Sequence, residues 1–118
     1  MSLDVYLYAT TACESCGHLT PTRHAVYSAN ITHNLNRMAQ EAGIYEALWR
    51  PDEHGLTRAA QLVEPLRAGL ARMKADSRHF KTFDASNGWG LYVHFVPWLE
   101  RYLAACEGNP GAVVEVSR

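Results

Sequence analysis

Five consecutive residues, Asn30-Ile31-Thr32-His33-Asn34, carry a run of hydrogen-bonding side chains where strand-like alternation gives way to helical spacing. At the first turn of a helix, unpaired backbone N–H groups and the positive end of the helix dipole favour an anion. The polar members of this block are therefore predicted to line a binding pocket: Asn30, Thr32, His33 and Asn34. In the structural alternative, Thr32 caps the helix, Asn30 satisfies hydrogen bonds of the adjoining strand and His33 lies on the surface.

Two tryptophans lie beside turn residues rather than inside periodic segments. Trp89 follows Asn87 in the turn signal Asn87-Gly88-Trp89-Gly90, and Trp49 stands just before Arg50-Pro51. A flat ligand group could stack on either ring, because the glycines beside Trp89 permit close approach. Asn87, Trp89 and Trp49 thus join the predicted binding residues. The alternative is that each tryptophan plugs one end of the core.

The segment from residue 57 to residue 81 is locally basic. The chain as a whole has a net charge of −1, which argues against a protein that binds duplex nucleic acid by neutralising many phosphates. The local surplus still suits a small anionic ligand, for which Arg58 and Arg67 are the candidate cations. A solvated helix face is the structural alternative.

A cysteine pair supplies the one metal-like pattern. Cys13 and Cys16 form C-x-x-C-G, in which two thiolates from a tight turn occupy adjacent corners of a tetrahedral zinc site. His18 and His24 are the nearest further ligands, although C-x2-C-x-H-x5-H is not a usual complete pattern and a site shared across a dimer would also reach four ligands. The alternative is two free thiols in an exposed loop.

Motifs of known catalytic mechanism are missing from the sequence. There is no Gly-rich phosphate loop, no serine nucleophile elbow and no H-E-x-x-H. His33 as a general base would need an orienting carboxylate, and the sequence assigns none. A non-enzymatic small-molecule binder is therefore the first hypothesis, and an unfamiliar hydrolase using His33 comes last.

The elements that must position these residues form a small α+β fold. The 118 residues, of which 47% are hydrophobic, suit a single domain over residues 1–118. Period-two patterns predict a long-looped antiparallel hairpin from residues 3–8 and 25–31, and a last strand over 112–116. Several helices should cover one face of this antiparallel sheet. An edge strand could pair with a second copy, which would give a homo-oligomer.

Capping and proline positions divide the helical part. Thr32 and Thr57 are predicted N-caps, and Gly43 should end the first helix. Pro65 should kink the second helix or begin a new one. The segment 91–106 is apolar nearly all round, which predicts a helix buried in the middle of the domain, with Cys106 in its core and a kink or break caused by Pro97.

Targeting signals are not evident. No apolar stretch approaches the roughly 20 residues that span a bilayer, and the N-terminus lacks the regions of a signal peptide. Three cysteines do not make a secreted disulfide framework. We therefore expect a cytoplasmic protein with no membrane partner.

Several sequence blocks resemble those of a family of small uncharacterised proteins from phages, prophages and bacterial genomes. The blocks are A-N-I-T-H-N at 29–34, G-I-Y at 43–45, L-W-R-P at 48–51 and N-G-W-G at 87–90, and the resemblance covers nearly the whole chain. By analogy with small phage proteins directed at host defence, it implies a sponge for a nucleotide-derived immune signal. The alternative hypothesis is a zinc-stabilised module that binds a protein partner as an inhibitor or adaptor.

Overall fold

A computed structural model describes the backbone of residues 2–11 and 22–118, and the side chains of residues 2–9 and 24–118. Within these ranges, one antiparallel sheet and several helices form an α+β fold. The predicted fold class is confirmed. No helix in the described part of the chain combines the length and apolar character that a membrane crossing requires.

Three strands make the sheet, in the order β2-β1-β3. They are β1 (Ser2–Thr11), β2 (Thr22–Thr32) and β3 (Val113–Ser117). β1 pairs antiparallel with β2 along its whole length, and β3 joins its other edge, where Asp4 lies opposite Ser117. The predicted hairpin and the pairing of the two terminal strands are both confirmed, and each strand at the hairpin is longer than its hydrophobic pattern indicated.

One face of the sheet is buried, and the described helices leave the other face uncovered. The fully buried side chains of the central strand alternate along it: Leu3, Val5 and Leu7. The residues between them are only half-buried: Asp4, Tyr6 and Tyr8. This period of two places the apolar set against the helices, as expected for an antiparallel sheet with a single covered face.

The described helices follow one another between β2 and β3. They are α1 (Asn36–Ala42), α2 (Tyr45–Trp49), α3 (Ala59–Ala75), α4 (Ser77–Lys81) and α5 (Tyr92–Gly108). Two short 3₁₀ segments accompany them, His33–Leu35 before α1 and Pro51–His54 after α2. α3 and α5 pack against each other over the buried face of the sheet.

The first helical segment begins and ends where capping residues indicated. The Asn34 N–H donates to Thr32 Oγ1 at 3.3 Å, which confirms Thr32 as a cap, and the first turn is 3₁₀ rather than α. Gly43 ends α1 with a φ of 78°, a backbone region that L side chains seldom adopt. Arg72 donates to the carbonyl of Ala42 at 2.6 Å, so α3 also secures this end of α1.

The prediction of Thr57 as the second N-cap is wrong by one residue. α3 begins at Ala59 with Arg58 as its cap. The reason is that the side chain of Gln61 reaches back and accepts from the N–H groups of both Thr57 and Arg58, at 2.8 and 2.9 Å. The backbone N–H groups at the start of the helix thus find their acceptor in a side chain of the helix itself. Pro65 lies within α3, which continues to Ala75 as one helix.

The prediction that α5 is buried all round is wrong. Phe95 and Tyr102 are fully buried, whereas Val93 is 55% exposed and Arg101 is also exposed. α5 packs on the sheet and α3 with one side only, so its other side is open to solvent.

Cys106 belongs to the buried side, as predicted. Burial raises the pKa of its thiol to about 12, which keeps the sulfur protonated and unreactive at neutral pH.

Candidate functional site

A cleft of about 850 Å³ lies between the end of β2, the loop before α5 and the first half of α5. It brings together two sequence blocks that were predicted separately. The predicted residues that line it are Asn30, Thr32, His33, Asn34, Asn87 and Trp89. The junction after β2 therefore forms one wall, and the Asn-Gly-Trp-Gly turn forms the wall that faces it.

Two asparagines hold the turn against the junction. Asn34 Nδ2 donates to the carbonyl of Trp89 at 2.8 Å, and the Trp89 N–H donates to Asn87 Oδ1 at 3.0 Å. Gly90 has a φ of 117°, and a Cβ built there would lie 2.9 Å from Asn34 Cβ. Glycine is therefore required for both the backbone conformation and the close approach. The Trp89 peptide is fixed, while its indole is 71% exposed beside the cleft.

α5 supplies the floor of the cleft. Asp84 Oδ1 accepts the N–H of Tyr92 at 2.7 Å and so fixes the start of the helix. Trp98 Nε1 donates to the carbonyl of Asn30 at 2.9 Å, which joins α5 to β2. His94, Trp98 and Arg101 follow at spacings of four and three residues, so all three face the cleft.

The cleft favours an anion. None of the described residues that line it is acidic, and Arg101 forms no ion pair with any described residue. Two imidazoles, from His33 and His94, add groups that can donate hydrogen bonds. A cleft lined by an exposed guanidinium and an exposed indole is suited to a ligand that combines a negative charge with a flat ring.

His33 lies partly under the rim of the cleft. Its ring meets Trp49 edge to face, at 89° and 6.2 Å between centroids. His33 Nε2 and Trp49 Nε1 are both buried without a hydrogen-bond partner among the described residues. No described carboxylate contacts His33. The described histidine paired with a carboxylate is His79, whose Nε2 lies 2.9 Å from Glu41, and neither residue lines the cleft.

Three predicted binding residues lie outside the cleft. Trp49 is only 2% exposed and stacks on Tyr45 at 5.5 Å, so it plugs the core. Arg58 donates to the carbonyl of Gly111 at 3.1 Å. Arg67 is engaged by glutamates on α3 and α5, at 3.1 and 3.2 Å. Sequence reasoning counted the charge of the basic segment without the acidic residues that the fold places beside it.

The structure adds two residues to the lining of the cleft that sequence reasoning missed, His94 and Arg101. Both lie in the segment that was predicted to be buried all round. A signal was present, because residues seven apart share a helix face and His94, Trp98 and Arg101 follow the i, i+4, i+7 pattern. The high apolar content of the segment concealed this polar edge.

The predicted zinc ligands fall mostly beyond the described residues. Cys13, Cys16 and His18 lie outside them, and His24 is exposed on β2. Across residues 2–11 and 22–118, no group of three or more histidine, cysteine or acidic side chains is placed to hold a metal. The zinc site stays a prediction.

Comparison with known proteins gives no relative. No protein-family model matches the chain, and no curated protein and no solved structure matches it. The fold and the cleft define the class of molecule by themselves: an α+β protein with an open cleft that is cationic, aromatic and rich in side-chain amides.

Proposed function

We propose that the protein binds a small anionic ligand of the nucleotide class in this cleft. One observation carries the proposal. Among the described residues, Arg101 has no ion-pair partner and Trp89 is exposed, and both line one cleft that no described carboxylate lines. A phosphate and a base are the two chemical groups that such a pair would recognise.

The remaining side chains suit the same ligand. Trp89 would stack on the base, and Arg101 would bind the phosphate through two parallel hydrogen bonds. Asn30 and Asn87 carry amides, which can pair with donors and acceptors on the edge of a base. His33 and His94 also line the cleft, and an imidazole can donate or accept a hydrogen bond.

Holding the ligand, rather than converting it, is the proposed activity. Among the described residues, no carboxylate contacts His33 to orient it as a general base. The resemblance to phage and prophage proteins supports a sponge that sequesters a nucleotide-derived immune signal in the cytoplasm. Turnover of a bound nucleotide that is lost in His33→Gln, with the fold intact, would support the hydrolase hypothesis instead.

Alanine at Trp89 or Arg101 tests the proposal. Stacking on an aromatic side chain contributes about 1–3 kcal/mol per base, and a hydrogen bond to a charged group contributes about 1.5–3 kcal/mol. Each substitution is therefore expected to weaken binding of a nucleoside monophosphate about tenfold or more. Titration calorimetry with the four common ribonucleoside monophosphates measures this.

Two exposed residues outside the cleft serve as matched controls. Arg78→Ala removes the same charge from α4, and Val93→Ala removes an exposed apolar side chain from α5. Both should bind like the wild type. The proposal fails if none of the four monophosphates binds, or if Arg78→Ala weakens binding as much as Arg101→Ala.

The zinc-ordered interaction module is the alternative proposal. His24 supports it, since this exposed imidazole lies on the stretch of β2 that pairs with residues 9–11 of β1, toward the cysteine segment. A native mass spectrum of gently purified protein separates the two proposals. Added mass equal to zinc that chelation removes would favour the module, and a retained organic adduct would favour the cleft. The same spectrum reports whether the protein is a homo-oligomer.

A further inference from the structure

A second polar depression adjoins the cleft. Its volume is about 460 Å³, and Asn34 and Asn87 line both it and the cleft. These two asparagines therefore form the boundary that the two depressions share, which we call the saddle. On the far side of the saddle lies Arg37, which is exposed and forms no ion pair with any described residue.

Each depression is lined by one guanidinium that forms no ion pair with any described residue, Arg101 in the cleft and Arg37 in the second depression. Asp84 is the acidic residue that lines the second depression, and one of its oxygens already accepts the N–H of Tyr92. The carboxylate oxygens of Asp84 lie more than 4 Å from the guanidinium nitrogens of Arg37, since no ion pair joins the two residues. A single phosphate at Arg101 would leave Arg37 without an anion.

The saddle has unused hydrogen-bonding groups. Asn34 Nδ2 is engaged by the Trp89 carbonyl and Asn87 Oδ1 by the Trp89 N–H. Asn34 Oδ1 and Asn87 Nδ2 have no partner among the described residues, so the saddle offers one acceptor and two N–H donors. A ligand that crosses it would satisfy them.

We infer that the site takes a ligand with two phosphate groups, a short phosphodiester of the dinucleotide class, which extends from Arg101 past Trp89 and over the saddle to Arg37. Asn34 and Asn87 line both depressions, so a ligand that contacts these asparagines can extend toward a guanidinium on either side. This inference rests on the proposed function and narrows its ligand.

Calorimetry with matched ligand pairs tests the inference. For each of the four bases, the probes are the nucleoside monophosphate and the linear dinucleotide of the same base with a 5′-phosphate. The dinucleotide is expected to bind the wild type at least tenfold more tightly. Arg37→Ala should remove most of that advantage and leave monophosphate binding unchanged, whereas Arg101→Ala should weaken both ligands.

The possible failures of this test are distinct. If the dinucleotide binds no more tightly than the monophosphate, or if Arg37→Ala leaves its advantage intact, the two-phosphate inference is overturned while the proposed function stands. If neither ligand binds, both are overturned. An equal loss of dinucleotide affinity in Arg78→Ala would assign the advantage to overall charge and would also overturn the inference. Unchanged melting temperatures confirm that the variants are folded.

Discussion

Gly69→Ala is expected to destabilise the protein by about 1–2 kcal/mol, although alanine is the better helix former. A Cβ built at Gly69 overlaps Ile44 Cγ2, closer than real Cβ atoms come to a neighbour. Ile44 is fully buried, so it cannot move aside into solvent. Overpacking a core costs about 1–3 kcal/mol, and the helix gain of about 0.5–1 kcal/mol offsets only part of it. Chemical denaturation measures the difference.

Two comparisons separate the steric effect from a general glycine effect. Gly108 ends α5, and a Cβ there meets no atom within 4 Å, so Gly108→Ala should be neutral or slightly stabilising. In an Ile44→Ala background the clashing methyl group is gone, and adding Gly69→Ala should then cost little or nothing. If Gly69→Ala destabilises both backgrounds equally, contact with Ile44 is not the cause.

Tyr102→Phe is expected to stabilise the protein by about 1 kcal/mol or more, an unusual result for a change in the core. The Tyr102 hydroxyl is buried without a hydrogen-bond partner among the described residues. A buried polar group without a partner costs about 1–3 kcal/mol. The same burial raises the pKa of Tyr102. Its ring stacks on Tyr27 at 5.8 Å, and phenylalanine keeps that contact. Denaturant midpoints measure the change.

Tyr92→Phe is the matched control, and it is expected to change the stability in the opposite direction. The Tyr92 hydroxyl is also in the core, but it donates to the carbonyl of Met73 at 3.0 Å. Its removal should destabilise the protein by about 0.5–1.5 kcal/mol. The two variants delete the same atom from the same helix, so they should shift the denaturation midpoint in opposite directions. A destabilised Tyr102→Phe would mean that its hydroxyl has a partner.

Local rules predicted the parts of the fold whose causes are local. The alternation of Leu3, Val5 and Leu7 with half-buried residues defines β1 because a strand turns its side chains to opposite faces in succession. Thr32 and Gly43 bound the first helical segment through their own side-chain and backbone properties. Such signals depend on neighbours within a few residues, which the sequence displays directly.

The sequence predicted residues of both walls of the candidate site but not the contact between the walls. Asn34 and Trp89 were each predicted to bind a ligand, yet the hydrogen bond that joins them spans 55 residues of sequence. No local pattern encodes that contact. Arg67 shows the converse, because its role depends on Glu107, which is 40 residues away and neutralises it. A count of charges along the chain does not include partners that tertiary packing supplies.

α5 shows why apolar content alone misleads. Val93 lies in an apolar segment and is exposed, because burial depends on which face of the helix meets the sheet and α3. The composition of residues 91–106 predicted a core helix and missed the polar edge that His94 and Arg101 form. The i, i+4, i+7 spacing of His94, Trp98 and Arg101 is visible in the sequence, but the cleft is needed to show that this face is the polar one.

Mapping a bound nucleotide by NMR tests the central claim most directly. In an amide and indole titration with the best-binding monophosphate, shifts are expected in residues 30–35 and 87–101, with the Trp89 indole N–H among the largest. The indole of Trp49, which is buried outside the cleft, should shift less than that of Trp89. Shifts confined to α3 and α4, around Arg67 and Lys74, or no shifts at saturating ligand, would contradict binding in the cleft.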